Sequence, residues 1–183
     1  LNRLAELYTG SDCVGIDLSE EATAAARAES RRKGLRNAEF HTGDLSDFDK
    51  TAERGAFDLV TSFDAIHDQA KPKTVLAAIY TALRLGGTYL MADVAASSNV
   101  EENVDHPLGP MFYASSLSHC MTVSLAEGGA GLGTMWGIHL ARRMLTDAGF
   151  TRVEVVDSPR PQNCIFVCRK ENTDRAKREE THV

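Results

Sequence analysis

Three acids and one His–Asp pair stand where they could do chemistry. Asp17 closes the apolar run Cys13-Val14-Gly15-Ile16-Asp17. Asp44 follows the run Ala38-Glu39-Phe40-His41 after Thr42-Gly43, and Asp93 closes Thr88-Tyr89-Leu90-Met91-Ala92-Asp93. A carboxylate accepts two O–H donors at once, so an acid at a strand end can hold a ribose diol. His67 lies in Phe63-Asp64-Ala65-Ile66-His67-Asp68, just after another strand-like run. A neutral imidazole, with an ordinary pKa of about 6.5, can take a hydroxyl proton as that oxygen attacks.

These residues need elements to position them. Leu1, Leu4, Leu7 and Tyr8 follow one helix face, and Gly10 ends it. Cys13–Asp17 reads as a buried parallel strand. Ser19 caps an Ala-rich helix that carries Glu20 and Glu21 in its first turn and closes at Gly34. Residues 38–41 are a short strand, and 46–56 read as polar loop. Phe57–Phe63 is a strand. A helix follows with Pro72 in its first turn and a buried stripe of Val75, Leu76, Ile79 and Leu83, broken by Gly86-Gly87. Residues 88–93 are a strand. Residues 94–133 hold Pro107, Pro110 and a glycine cluster, a connection long enough to be a functional insertion or lid. A helix over 134–148 ends at Gly149, and strands over 152–156 and 163–169 follow. The stretch from Lys170 to Val183 is charged and reads as a disordered tail.

Strands alternating with helices predict a mostly parallel α/β sheet covered on both faces, with the last two strands as an antiparallel edge pair. In such sheets ligands bind outside the carboxyl ends of the strands.

Composition narrows the function classes. The chain has 183 residues, 43% hydrophobic and 25% charged, which fits one globular domain. The formal net charge of −6 argues against a broad nucleic-acid surface. No apolar run reaches the roughly 20 residues of a membrane span, and no signal peptide is visible. Cys13, Cys120, Cys164 and Cys168 do not make a disulfide framework, so a reduced, cytoplasmic protein is expected.

Five segments, in order, resemble class I S-adenosylmethionine-dependent methyltransferases along about residues 1–169. Val14-Gly15-Ile16-Asp17-Leu18-Ser19 resembles that family's second strand and ribose-binding acid. Gly43-Asp44-Leu45 resembles the turn that meets the adenine. Phe57-Asp58-Leu59-Val60-Thr61-Ser62 resembles the fourth strand, beside the methionine part of the cofactor. Leu83-Arg84-Leu85-Gly86-Gly87-Thr88 resembles the turn before strand five, with Leu85 where the family usually has Pro. The closing strand pair resembles the family's sixth and seventh strands.

The resemblance implies a Rossmann-like fold and S-adenosylmethionine as cofactor. Its implied contacts are Asp17, Leu18, Gly43, Asp44, Leu45, Ser62 and Phe63. It also implies His67 as the base for a small-molecule hydroxyl, with packing as the alternative role. The family's first strand and glycine-rich turn would precede Leu1, so the chain is expected to be an N-terminally truncated domain that binds cofactor poorly or not at all by itself. Relatives of this kind often carry an N-terminal winged-helix region used in dimerisation, which implies a homodimer through that region.

Asp93, Asn99, His106, His119 and Trp136 could line an acceptor pocket walled by Met111, Phe112, Tyr113 and Met121; loop packing accounts for each of them equally well. His106 and His119 with Asp105 lack compact metal-ligand spacing, and no metal is assigned. Cys164 and Cys168, four apart on a strand, are too far separated for a zinc or redox pair. Two other readings stay open: a non-catalytic interaction module that keeps the fold, and an NAD-dependent oxidoreductase. The antiparallel C-terminal pair and the Gly43-Asp44-Leu45 turn speak against the second.

Overall fold

The computed structural model describes residues 1–51 and 53–171. They fall into two compact units, Leu1–Asp47 and a second that begins at Phe48.

In the first unit, α1 (Asn2–Leu7) precedes β1 (Cys13–Asp17), α2 (Glu20–Arg32) and β2 (Ala38–Thr42). The two strands pair in parallel, with Cys13 opposite Ala38 and Asp17 opposite Thr42. Ser19 starts α2 as expected, its hydroxyl accepting from Ala22 N at 3.1 Å. The Asn37 amide holds the end of α1 by donating to Ala5 O at 3.1 Å and Ser11 O at 2.9 Å. Gly15 is required by packing: a Cβ there would lie 2.9 Å from the Phe40 ring. A 3-10 turn, Leu45–Asp47, closes the unit.

The second unit opens with α3 (Phe48–Thr51), where a loop is expected. Phe48 is buried, and this short turn anchors an otherwise polar stretch. β3 (Phe57–Phe63), α4 (Pro72–Ala82) and β4 (Leu83–Val94) then form a succession of strand, crossover helix and parallel strand. The expected stripe of α4 is correct, with Val75, Leu76 and Ile79 buried. The expected break is displaced. The helix ends at Ala82, and β4 already begins at Leu83, with Gly86-Gly87 inside the strand as a bulge. Phe57 pairs with Leu83 but Leu59 with Thr88, so β4 carries extra residues here. Gly86 takes φ +79°, which suits glycine.

Residues 94–133 are largely helical. A 3-10 turn (Val100–Asn103) leads to α5 (Gly109–Ser115), a π-helical turn (Ser116–Cys120) and α6 (Met121–Ala126). The next helix, α7 (Gly137–Asp147), starts three residues later than the spacing predicts. Gly137 has φ +79°, and a Cβ would fall 2.2 Å from Ser98 N, so the backbone there is a tight junction with the loop after β4.

β5 (Arg152–Asp157) and β6 (Asn163–Arg169) complete a four-stranded sheet of order β3-β4-β6-β5. β5 and β6 are antiparallel, as expected, and β6 also runs antiparallel to β4. The core packs around Tyr89, Phe150 and Phe166. Phe150 meets Tyr80 edge-on at 5.1 Å and Tyr89 in a stacked arrangement at 5.9 Å.

The expected tail begins inside the fold. Lys170 N–H donates to Gly87 O, and its ammonium donates to Tyr80 O and Leu83 O, both at 2.7 Å. It therefore caps the C-terminus of α4, where free carbonyls and the negative dipole end favour a cation. Residues 172–183 of that expected tail lie outside the described residues. No helix among the described residues is long and apolar enough to cross a membrane.

Candidate active site

Two candidate groups of residues stand out, one in each unit.

In the first unit, Asp17 is the last residue of β1, and Asp44 lies two beyond the end of the parallel β2. Both acids therefore share the carboxyl edge of one strand pair. Gly43 N–H donates to Asp17 O at 3.0 Å, which ties the two strand ends together. Each carboxylate is fixed by the same local device. Asp17 Oδ1 accepts from Ser19 N at 2.8 Å, and Asp44 Oδ1 accepts from Ser46 N at 2.7 Å. Such i to i+2 bonds hold an Asp side chain over its own turn. In both, the second oxygen has no protein partner among the described residues, and both residues are exposed. This acceptor set fits a nucleoside, whose hydroxyls and exocyclic amine are donors. Leu18, Gly43 and Leu45 lie beside these acids in sequence; Leu18 is 74% exposed.

Ser62 and Phe63, expected to bind the same ligand, belong to the second unit. Phe63 is exposed at the end of β3. Ser62 turns toward the core, where its hydroxyl lies 2.7 Å from Tyr89 Oη. That bond satisfies a fully buried phenol, whose pKa burial pushes far upward.

The second group centres on His67, which is 3% exposed. It sits in the turn after β3, where Asp64 adopts φ +47° and accepts from Asn163 Nδ2 at 2.8 Å. His67 Nδ1 lies 2.8 Å from Asp93 Oδ1. Asp93, 1% exposed, sits near the end of β4, the strand parallel to β3. The same oxygen accepts from Trp136 Nε1 at 3.1 Å and from Val94 N at 2.8 Å. Facing a carboxylate, Nδ1 carries the proton, which leaves the Nε2 lone pair as the reactive one. Asp93 Oδ2 is buried and without a partner.

On the other side of the ring, Asp68 Oδ1 lies 3.4 Å from Nε2, buried and without a hydrogen bond. Burial opposes charge on His67, but the bond to Asp93 and the charges of Asp93, Asp68 and Asp64 outweigh it, so its pKa is raised. Burial pushes the Asp64 carboxyl upward too, and the Asp93 charge adds to this.

Cys120, from the π-helical turn, completes the surroundings. Its sulfur lies within 4.8 Å of the His67 and Asp68 ligand atoms and accepts from Thr134 Oγ1 at 3.1 Å. Nothing in the local sequence marks Cys120 or Thr134, because they reach the site only through the fold of residues 94–136.

The other expected pocket residues divide. Asp93 and Trp136 join His67. Phe112 and Tyr113 pack on Val94, Ala96 and Met135. His106 has both ring nitrogens engaged, Nε2 with Ala95 O and Nδ1 with Leu108 N, so it holds the loop instead of a ligand. Asn99 bonds Glu102, and Met111 and His119 are exposed. A separate cavity of about 240 Å³, apolar in lining, opens between the start of α4 and α7 against Ala70, Pro72, Leu132, Leu140 and Met144. It does not include His67 or Asp93.

The profile of a family described as a methyltransferase domain matches residues 1–149. The chain belongs to that family. This methyltransferase domain is 24% identical over 144 residues to the sterol 24-C-methyltransferase of Saccharomyces cerevisiae, covering 78% of this chain and 34% of that protein. Its fold is shared with an O-methyltransferase family protein from Burkholderia thailandensis, at TM-score 0.71 and 19% identity over 94% of this chain and 47% of the other. It is shared also with PigF bound to S-adenosylhomocysteine, at TM-score 0.65 and 19% identity over 91% and 46%. The chain thus spans about a third of the curated relative and under half of these solved chains. The fold is the class I, S-adenosylmethionine-dependent one.

Proposed function

We propose that this domain transfers a methyl group from S-adenosylmethionine to a hydroxyl of a small-molecule acceptor, with His67 as the base. Bound S-adenosylmethionine supplies a methyl already activated by its sulfonium leaving group. The protein's part is then chiefly positioning. Asp17 would hold the ribose diol, and Asp44 would accept from the adenine amine, with Leu18, Gly43 and Leu45 giving backbone and apolar contact. Ser62 and Phe63 end the strand that would face the methionine part.

The observation that carries the base assignment is the 2.8 Å bond from His67 Nδ1 to the buried Asp93. It fixes the tautomer and aims Nε2 away from Asp93. As the acceptor oxygen bonds to the methyl carbon, its proton passes to Nε2. Asp93 stabilises the imidazolium so formed. For this to occur Asp68 must turn from Nε2, and it is half-buried in a loop between β3 and α4.

A second reading rests on the same ring. An imidazolium held between Asp93 and Asp68 can serve as a buried ion pair that shapes the site, with transfer relying on positioning alone. His67→Ala separates the two. Formation of S-adenosylhomocysteine would be followed with a panel of phenols and aliphatic alcohols. The base role predicts a fall in kcat of about 10²–10⁴ at unchanged cofactor affinity. An unchanged kcat removes it. Thermal shift with S-adenosylmethionine, S-adenosylhomocysteine and NAD tests the cofactor itself.

A further inference from the structure

We propose that His67 Nε2, Asp68 Oδ1 and Cys120 Sγ form a binding site for a zinc-like divalent cation. One ligand atom of each of these three side chains lies within 4.8 Å of the other two. Ligands around a tetrahedral ion sit about 3.5 Å apart, so a small side-chain adjustment closes the set. Asp68 Oδ1 and His67 Nε2 are already 3.4 Å apart.

Three further observations point to a cation. First, Asp68 Oδ1 is a buried carboxylate oxygen with no well-formed hydrogen bond among the described residues, its nearest cationic neighbour being the His67 ring at 3.4 Å, and a buried carboxylate favours a positive charge beside it. Second, His67 donates its other nitrogen to Asp93, itself held by Trp136 and the Val94 backbone. A ligating histidine is oriented in this way, its far N–H given to a carboxylate, and that outer bond raises its basicity. Third, the Thr134 hydroxyl donates to the Cys120 sulfur at 3.1 Å and favours a thiolate there; burial and Asp68 outweigh it and raise the thiol's pKa, so the metal itself must displace the proton.

The donor chemistry selects the ion. Thiolate, imidazole and one carboxylate suit borderline-soft zinc and exclude magnesium and calcium, which take oxygen donors. A divalent cation also offsets the negative charge gathered here by one thiolate and the carboxylates of Asp68 and Asp93. On binding, the Cys120 S–H bond breaks, a sulfur–metal bond forms, and the proton leaves to buffer. Three protein ligands leave a fourth position for water.

This site would occupy the lone pair that the proposed base uses, so metal and methyl transfer compete for His67. That consequence rests on the function proposed above; metal binding itself does not, and it is measured without turnover. The purified chain, stripped with chelator, would be titrated with Zn²⁺ alone and with Co²⁺ alone. The proposal expects one equivalent of each, and a sulfur-to-cobalt charge-transfer band in the near ultraviolet. Cys120→Ser, which keeps an acceptor for Thr134, should abolish the band and weaken zinc by more than about tenfold. Asp68→Asn, isosteric with the native residue, should weaken zinc while leaving the band. Absence of stoichiometric metal in the folded wild-type chain overturns the proposal. So does a band that survives Cys120→Ser, which would place the thiolate at Cys13, Cys164 or Cys168. If metal binds but methyl transfer is indifferent to it, the metal site stands and the base assignment falls.

Discussion

Asp93 receives His67 Nδ1 and Trp136 Nε1 on one and the same oxygen, at 2.8 and 3.1 Å, with all three residues buried. A single carboxylate oxygen thereby links the loop after β3, the end of β4 and the start of α7. Removing it strands a cationic ring and an indole N–H in the core. Asp93→Ala is expected to cost about 3–5 kcal/mol, the usual effect of breaking a buried charge pair from one side. Asp93→Asn keeps the acceptor and should cost less, yet lower the affinity of His67 for its proton. Urea denaturation of both variants checks the order.

The raised pKa of His67 fixes the sign of a pH effect on stability. A histidine bound more tightly to its proton in the folded state stabilises that state fully below the unfolded value, about 6.5. This contribution is lost as pH rises through the higher folded value. The gap in Tm between wild type and His67→Gln should therefore narrow as pH is raised above neutrality. A gap that widens would contradict the ion-pair geometry.

The same shift bears on rate. If His67 is the base, only its neutral form accepts the acceptor proton, so kcat rises with pH on a limb displaced above the ordinary histidine value. Asp93→Asn should move that limb to lower pH. A limb that stays in place in the variant assigns it to another group, such as the acceptor hydroxyl itself.

Lys170 closes the end of α4 with bonds to the carbonyls of Tyr80 and Leu83, and lies 4.7 Å from the centre of the Tyr80 ring. Charge-assisted bonds are worth about 1.5–3 kcal/mol each when well buried, and this ammonium is only partly so. Lys170→Ala should cost about 1–2 kcal/mol. Lys170→Met, which keeps the apolar stem, should cost nearly as much. Chemical denaturation of the two measures how much of the effect is the charge.

At the other site, Asp17 has one oxygen on its own turn and one without a partner among the described residues. Asp17→Ala should weaken S-adenosylhomocysteine binding by at least about tenfold, the scale of a lost hydrogen bond to a charged group. Calorimetry against the wild-type chain checks this. Equal affinities would remove Asp17 from the cofactor contacts.

Much of this architecture is readable from residue order, and the reasons differ by element. Phe57–Phe63 and Asn163–Arg169 are short runs rich in aromatic and β-branched residues, and their bounds fall where the pattern puts them. Ser19 and Pro72 announce helix starts through capping and fixed φ. Gly86-Gly87 mislead, because glycine at positive φ serves a strand bulge as well as a helix end. Asp44 and Asp17 could be paired in advance because parallel strands in sequence order put their carboxyl ends together. The His67–Asp93 bond follows from the same logic one step later, as β3 and β4 are adjacent and parallel. Trp136 is readable as a pocket residue but not as the donor to Asp93, 43 residues before it, and Cys120, 53 residues after His67, gives no sign of its place, because no local period encodes how the intervening helices pack.

The π-helical turn at Ser116–Cys120 has a further consequence. Such a turn accommodates one residue more than the α-helical path around it. The surplus is taken up inside the turn, so deleting one position within Ser116–Cys120 would let the coil revert to regular winding with Phe112 kept in phase with the helix that follows. Deleting one position within Gly109–Ser115 instead would rotate what precedes it by about 100° around the axis and carry Phe112 off Val94 and Met135. One surplus amino acid therefore makes this coil tolerant of a lost residue at one turn and intolerant at the next.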